Sequence, residues 1–423
     1  MGRLNTVDSP MKKYHWLILL MACLGAQICR AQNTYDSTMV LALDSIPRVN
    51  DSTDKDKDVV DVFQKMRHKK PKLHLTKTDK KERLQFTLVP AAGYTLQTGF
   101  SVLLAANSVF YTDKDDHSKS STILASVSYT QYNQVILPLF VNIWTKGKKF
   151  NLISDMRYMS YPSQTYGLGP STSKSAGYDI NFSYLKLHQS VLKRVSSDLF
   201  AGVGYFYDLL WSQREVNPPA GETSFQQYGL HRKEVASGFN FQVLYDNRAN
   251  QVNPTGGSYA TFRYRVSPTW LGSNTTWQSG VLDLRKYFAF PKGSHNTVAL
   301  WNFNWMTLDG KPPYLLLPSI GWDDYFNTGR GYVQGRFRAK NMSYLEAEYR
   351  FRLVPNGLFG AVIFGNLQTY SSDIPGLYQT VIPGGGAGLR IKVNKRSNTN
   401  LCIDYGFGKD GSRGFFINLG EVF

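Results

Sequence analysis

The chain has 423 residues, of which 42% are hydrophobic and 14% aromatic, and its formal net charge is +17 at pH 7. Beyond the N-terminal region it has no run of about 18 apolar residues, which excludes helical membrane spans. The 26 Tyr, 25 Phe and 36 Gly residues instead favour an all-β membrane protein, because aromatic side chains gather at membrane interfaces and glycine occurs where strands approach closely.

Residues 1–31 have the pattern of a signal peptide. The apolar stretch 16–25 follows two lysines and precedes small residues ahead of Gln32, where we expect signal peptidase to cut. Synthesis from Met1 and synthesis from Met11 both fit this pattern. Export excludes nucleic acid as the partner that the positive charge would otherwise suggest.

Cysteine, histidine and glycine usage gives no sign of a cofactor. Cys402 alone remains after the signal peptide is removed, so the chain can form neither an internal disulfide nor a CxxC zinc site. The seven histidines have no paired metal-ligand spacing. The glycine-rich stretch 384–388 is interpreted as part of a bent strand, because no helix follows it as in a phosphate-binding loop. We therefore expect neither a metal nor another cofactor.

Residues 32–84 are polar and have few aromatic side chains. Their acidic part, 51–61, is followed by a basic part, 68–81, and such segregated charge predicts a solvated periplasmic tether. In the alternative interpretation, the lysines of the basic part lie against anionic lipid headgroups. The sequence leaves both interpretations open.

From residue 85 to residue 423 the dominant hydrophobic period is two. The clearest example is the alternation of Leu345, Ala347, Tyr349, Phe351 and Leu353 with Glu346, Glu348, Arg350 and Arg352. One face of such a strand suits lipid and the other suits water. The aromatic residues of the stretch 301–305 are assigned to the lipid side in the same way.

These runs extend over about ten to twelve residues, which is the length needed to cross hydrocarbon at a tilt, whereas soluble strands average about five or six. The predicted fold class is therefore a transmembrane antiparallel β-barrel over residues 85–423. Its strands are predicted to begin near Phe86, Phe100, Ile123, Val135, Asn151, Ile180, Leu199, Gly238, Tyr259, Ser279, Val298, Ser343, Leu358, Val381, Asn400 and Gly414. These about sixteen strands must close, because an unpaired edge in lipid leaves backbone groups without partners.

The connections between strands differ in length, which predicts the two ends of the barrel. Short periplasmic turns are expected at 133–134, 196–198, 293–295 and 355–357. Long outer loops are expected at 112–120, 163–178, 214–235 and 311–340. The last of these is the long sixth outer loop, and its apolar part would be costly to leave in water, so we predict that it folds into the lumen.

Three short stretches of the barrel region carry a family resemblance. The first is a predicted periplasmic turn motif that contains Asp246, Arg248, Pro254 and Gly257. The second is the tip of the longest loop, formed by Gly329, Arg330, Gly331 and Tyr332. The third is the C-terminal end, where an outer-membrane assembly signal is predicted at Phe415, Ile417, Leu419 and Phe423. Together these stretches resemble the barrel domain of the BamA/TamA superfamily, the bacterial surface antigen type.

Two departures from the family pattern affect what the resemblance implies. Members that insert barrel proteins carry periplasmic POTRA domains, whereas the roughly fifty polar residues ahead of the first strand are too few to bury the core of one. The resemblance is therefore to a barrel-only member. In addition, Asn366 stands where the strand after the long loop usually carries an acid.

The resemblance also implies that Arg330 has acidic partners in the lumen. Glu346 and Glu348 point to the same face of their strand, and Glu348 matches the acidic position that the family places near the loop arginine. With Asn366 they form the predicted set of lumen partners, in which a guanidinium and a carboxylate make a bidentate pair. The alternative is a solvated ladder of lumen charges without a specific partner.

The function that the resemblance implies is assistance in inserting or translocating proteins, or lipid, at the outer membrane of a Gram-negative cell, through a lateral seam between the first and last strands. Its partners would be outer-membrane lipids and lipopolysaccharide, the assembly machinery for its own insertion, and a client protein or periplasmic partner. The first alternative is a passive pore or structural surface barrel. The second, less favoured by the sequence, is a barrel hydrolase. Because the sequence has no GxSxG elbow or other catalytic constellation, we expect no enzyme activity.

Overall fold

The structure is a computed structural model that describes residues 56–59, 61–62, 85–110, 112, 121–395 and 398–423. The predicted signal peptide and most of the predicted tether lie outside the described residues. No helix in the described part of the chain is long and apolar enough to cross a membrane.

In the part of the chain that the structure describes, seventeen strands form one antiparallel sheet. In chain order they are β1 (Gln85–Thr95), β2 (Gly99–Phe110), β3 (Ser121–Thr130), β4 (Val135–Trp144), β5 (Phe150–Ser160), β6 (Ser163–Thr165), β7 (Tyr178–Arg194), β8 (Leu199–Val216), β9 (Lys233–Asp246), β10 (Gly257–Ser267), β11 (Trp277–Ala289), β12 (Thr297–Gly310), β13 (Asn341–Arg352), β14 (Phe359–Ser371), β15 (Val381–Asn394), β16 (Thr399–Gly408) and β17 (Arg413–Leu419). β6 is a three-residue strand that pairs with β7. The other sixteen strands form the barrel wall in chain order, which confirms the predicted fold class.

The first and last strands lie side by side. A methyl group added at Gly414 of β17 would lie 2.1 Å from a side-chain carbon of Leu96, just after β1, and one added at Gly93 would lie 4.0 Å from the carbonyl oxygen of Ile417. Among the described residues, no register of paired residues joins β1 to β17, whereas each has one with its other neighbour. The barrel is therefore nearly closed, and we call this junction the seam.

Burial separates the two faces of the wall. On β13, Leu345 is 48% exposed, whereas Glu346 and Glu348 are 0% and 2% exposed. The apolar side chains of this strand face outward and its charged side chains face inward, as predicted. An inward charged face requires partners inside the barrel, because a buried charge without one is costly.

The two faces of β12 are opposite to the prediction, because its aromatic side chains point into the barrel. Trp301 and Phe303 are 0% and 3% exposed on the inward side, and the ring of Trp301 lies 5.1 Å from that of Phe423. Asn304 donates its amide to Asn302 at 2.7 Å, so the alternating amides satisfy each other. The predicted period of two is correct. However, the interior beside this strand is a packed aromatic core rather than water, so its aromatic side chains face inward instead of toward lipid.

The predicted strand starts lie within two residues of the observed ones, except at β9, which begins at Lys233 rather than near Gly238. The first residues of β9 include Glu234 and Ser237, both buried, so the hydrophobic alternation used for prediction does not extend into them. β7 and β8 have 17 and 18 residues, which exceeds the predicted length.

The connections alternate between the two ends of the barrel, because consecutive antiparallel strands run in opposite directions. Connections 217–232 and 311–340 lie at one end, here called the long-loop end. Connections 195–198 and 353–358 lie at the other, here called the short-turn end. Most of the predicted loops and turns follow this division.

Two connections do not lie where they were predicted. Thr112, the described residue of the predicted loop 112–120, lies at the short-turn end, and the turn 133–134 lies at the long-loop end. The rest of that predicted loop lies outside the described residues. The hydroxyl of Thr112 donates to the carbonyl of Trp144, next to the short-turn connection 145–149. The prediction assigned these two connections to an end of the barrel by their length. The end at which a connection lies depends instead on its position in the alternating order of the strands.

Candidate functional site

The segment between β12 and β13, residues 311–340, is packed rather than exposed. Its side chains Tyr314, Leu315 and Leu317 are at most 4% exposed. Tyr314 stacks on Phe225 of a short helix, α1 (Ser224–Tyr228), with ring centroids 4.3 Å apart. The apolar part of the longest connection is thus buried against another connection at the long-loop end.

The tip of this segment contacts the inward faces of β13 and β16. Arg330, which follows Gly329 at φ 81°, is 2% exposed. Its guanidinium forms ion pairs with Glu346 and Glu348 of β13, and its Nη1 lies 2.6 Å from Oδ2 of Asp404 on β16. We call this arginine with its three carboxylates the loop-arginine site.

Two side chains of β14 contact the same arginine through a cation–π contact and a hydrogen bond. The ring centroid of Phe364 lies 3.7 Å from the guanidinium carbon of Arg330, in cation–π contact. Asn366, where the resemblance implies an acid, donates its amide to the backbone carbonyl of Arg330 at 3.2 Å. β14 thus contacts the arginine without a carboxylate, and the third carboxylate of the site, Asp404, lies on β16.

A second layer of charges surrounds the loop-arginine site. The Nε of Arg350 donates to Glu348 at 2.6 Å, and Arg390 pairs with Asp404 and, at 2.8 Å, with Glu421. The network contains three arginines and four carboxylates, so its formal charge is 3 − 4 = −1. These side chains are at most 8% exposed. Removing one partner from such a buried pair costs roughly 3–5 kcal/mol.

Glycines form the surface on which the loop tip rests. The inward glycines of β15 and β16, here called the glycine floor, are Gly384, Gly386, Gly388, Gly406 and Gly408. A methyl group at Gly406 would lie 2.6 Å from the backbone nitrogen of Gly331, and one at Gly408 would lie 2.4 Å from the ring of Tyr332. Gly331 itself has φ 107°, which favours glycine. The sequence placed stretch 384–388 in a strand but gave no reason for its alternate glycines.

The predicted turn motif lies between β9 and β10, at the short-turn end. Asp246 accepts hydrogen bonds from Arg248 Nε at 2.9 Å and from Gln251 Nε2 at 3.1 Å. At Gly257, which has φ 96°, a Cβ would lie 3.0 Å from the Cα of Arg248. The motif therefore fixes a compact turn around one aspartate.

The C-terminal residues divide between the two faces of the wall. Phe415 and Leu419 are 50% and 63% exposed, and Ile417 shares their face and is half-buried. The chain then turns at Gly420, which has φ 92°, and Phe423 is 3% exposed in the inward aromatic core. The assembly signal stays a prediction, with three of its residues outward and the fourth inward.

Arg350 connects the three groups of residues that the sequence singled out. It contacts Glu348 of the loop-arginine site, its Nη1 donates to the carbonyl of Pro254 at 3.5 Å, and its Nη2 donates to the carbonyl of Phe423 at 3.0 Å. The loop tip, the turn motif and the C-terminal tail therefore meet in one network.

The sequence prediction missed Asp404, Arg390 and Glu421. Asp404 alternates with Cys402 and Gly406 along β16, and this alternation was a usable sign that it faces inward. Arg390 likewise alternates with Leu389 and Ile391 along β15, whereas Glu421 gave no such sign, because its contacts depend on the turn of the chain at Gly420.

A second group of inward charges lines a cavity of about 110 Å³ formed mainly by β7–β12. His188 stacks on Phe206 at 3.8 Å and lies 3.0 Å from a carboxylate oxygen of Asp208. Asp324, from the segment 311–340, pairs with Arg263 at 2.7 Å. The cavity has room for only a small number of water molecules.

Comparison with solved structures finds barrels of the same fold. BamA from Haemophilus ducreyi lacking POTRA domains 1–3 matches 85% of this chain and 76% of its own, with a TM-score of 0.52 and 15% identity. CdiB from Acinetobacter baumannii matches 80% of this chain and 60% of its own, with a TM-score of 0.51 and 14% identity. For CdiB from Escherichia coli the values are 80%, 67%, 0.52 and 9%. No protein-family model and no curated protein sequence matches.

The architecture and these likenesses define the chain as an antiparallel β-barrel of the transmembrane type. Its fold is that of the BamA type, which confirms the resemblance at the level of fold. Because the identity to each of these three structures is 15% or less, the likeness extends to the fold alone.

Proposed function

We propose that this barrel assists the insertion or translocation of proteins, or of lipid, at the outer membrane. The proposal combines the BamA-type fold with an inward arginine site that has the family's loop-tip residues. Its partners are membrane lipids and a client protein, and its short-turn end faces the periplasm. It includes no catalytic step.

The observation that carries the proposal is the seam. Fifteen neighbouring pairs of long strands have registers of paired residues, whereas none joins β1 to β17 in the part that the structure describes. β17 has 7 residues and β1 has 11. Since unpaired backbone groups in lipid cost several kcal/mol each, a client strand that pairs with either edge gains that free energy.

The segment 311–340 is proposed to occupy the lumen. Its residues Ile320, Arg330 and Phe337 are at most 2% exposed, as expected for side chains inside a filled barrel rather than beside an open channel. This packing argues against a passive pore. The purified protein in a planar bilayer should therefore show no steady open conductance without a client, and a large steady conductance would favour the pore.

Depletion in cells tests the proposed function. Quantitative proteomics and lipid analysis of the outer membrane and the medium should show the loss of a defined set of components, which the wild-type protein restores. An inventory that is unchanged after depletion would rule out a role in insertion or translocation.

A further inference from the structure

Residues 56–59 and 61–62 are the described part of the predicted tether, and they contact the short-turn end of the barrel. Lys57 donates its backbone N–H to the carbonyl of Asn356, between β13 and β14, at 2.8 Å. The two Nη atoms of Arg352, the last residue of β13, bind the carboxylate of Asp56 at 2.8 and 2.9 Å.

Two further aspartates contact the next turn, between β15 and β16. Lys395 donates its backbone N–H to Asp58 at 3.0 Å and its Nζ to Asp61 at 2.7 Å. The backbone N–H of Asp61 donates to the Asp58 carboxylate at 2.9 Å, and that of Asp58 donates to the Asp61 carboxylate at 3.1 Å. This reciprocal bonding resembles a capping box, and it orients both carboxylates toward one lysine.

Together these contacts suit a peptide with carboxylates at defined positions rather than negative charge in general. Arg352, Asn356 and Lys395, here called the rim site, receive three carboxylates at the first, third and sixth positions of a segment and one backbone N–H at the second. Each ion pair is partly exposed and weak alone. The two hydrogen bonds donated by backbone N–H groups also fix which residue of the segment lies against which residue of the barrel. Mobile counter-ions cannot provide such an alignment.

We propose that the rim site binds an acidic peptide segment, and that in this protein its occupant is the chain's own acidic stretch through Asp56, Lys57, Asp58 and Asp61. The rim site thereby gives the acidic part of the predicted tether a partner on the barrel itself. The inference concerns the short-turn end alone and does not depend on the proposed function.

Limited proteolysis of the detergent-solubilised full chain tests the intramolecular contact. Replacing three aspartates together (Asp56→Asn, Asp58→Asn, Asp61→Asn) should accelerate tryptic cleavage after Lys57 by about tenfold, because the bonds that hold this segment are lost. Neutralising three aspartates elsewhere (Asp113→Asn, Asp115→Asn, Asp116→Asn) is the charge-matched control and should leave the rate unchanged. Equal cleavage of the first variant and the wild type would overturn the proposal.

A peptide added separately tests recognition by the rim site. A labelled peptide with the sequence of residues 51–62 should bind the Asp56, Asp58 and Asp61 variant saturably, and Lys395→Glu in that background should weaken binding by about tenfold or more. In the otherwise native chain, Asp56→Arg should restore the protection from trypsin that Arg352→Glu removes. If a scrambled peptide of the same composition binds equally well, the attraction is only that of a chain with net charge +17, and the proposal is rejected.

Discussion

At the scale of single residues, Arg330 is held from several directions at once. Its guanidinium pairs with carboxylates on β13 and β16, and its flat face lies on the ring of Phe364. Lysine cannot reproduce this geometry, because an ammonium is a compact point charge without a planar fork. The site therefore depends on the shape of the guanidinium as well as on its charge.

We predict that Arg330→Ala and Arg330→Lys each lower the free energy of unfolding of the barrel, by about 3 kcal/mol or more for Ala, because they leave buried carboxylates unpaired. Urea unfolding of the refolded barrel, followed by tryptophan fluorescence, measures the loss. Arg232→Lys, at an exposed loop arginine, is the control and should change stability by less than about 0.5 kcal/mol.

A double-mutant cycle tests whether the arginine and one of its partners act together. Glu348→Gln combined with Arg330→Ala should destabilise less than the sum of the two single changes, with a coupling of roughly 0.5–3 kcal/mol. Zero coupling of Arg330 to both Glu346 and Glu348 would show that the inward charges form a ladder without a specific partner.

The residues of this site could be predicted only where alternation along one strand placed them. Glu346 and Glu348 follow from the period of two on β13. Asp404 and Arg390 lie on other strands, and which strands approach the loop tip depends on the curvature of the wall. The inward position of Phe423 could not be predicted from the sequence, because continued alternation cannot anticipate the turn at Gly420.

At the scale of elements, the glycine floor explains why β15 and β16 carry glycine on their inward face. We predict that Gly406→Ala destabilises the barrel by about 1–3 kcal/mol, because the added methyl group would lie 2.6 Å from the backbone of Gly331. Gly365→Ala is the matched control, since nothing lies within 4 Å of its added methyl group. Equal effects in urea unfolding would mean that the loop tip does not rest on this surface.

The strands themselves were largely predictable, because an outward apolar face repeats every second residue across the wall. The start of β9 was missed where Ser237, a buried polar residue two positions before the outward Phe239, interrupts that repeat. The inward and outward faces of β12 were interchanged in the prediction, because an aromatic core and a lipid phase both favour residues such as Trp301. Alternation thus predicts where a strand runs and leaves open which face is inside.

At the scale of the whole molecule, the alternating connections predict the sidedness of the barrel. A cysteine at Glu222, in the connection between β8 and β9, should react with a membrane-impermeant reagent on intact cells. Cysteines at Lys292 and Thr112, both at the short-turn end, should react only after the outer membrane is permeabilised. Cys402 is buried and supplies little background. Labelling of Lys292→Cys alone on intact cells would invert the orientation.

The junction between the first and last strands determines whether the barrel can act as proposed. Leu96→Cys with Gly414→Cys places a disulfide across the seam, because a Cβ at Gly414 would lie 2.6 Å from Leu96 Cγ and the leucine side chain is removed. The control pair, Leu389→Cys with Ile403→Cys, joins residues that are already opposite each other on β15 and β16.

The most direct measurement is rescue of depleted cells by each pair, read from the inventory of outer-membrane and secreted components with and without reductant. We predict that the oxidised seam pair folds but does not restore the inventory, that reductant restores it, and that the control pair rescues in both states. Full rescue by the oxidised seam pair would contradict lateral opening between β1 and β17.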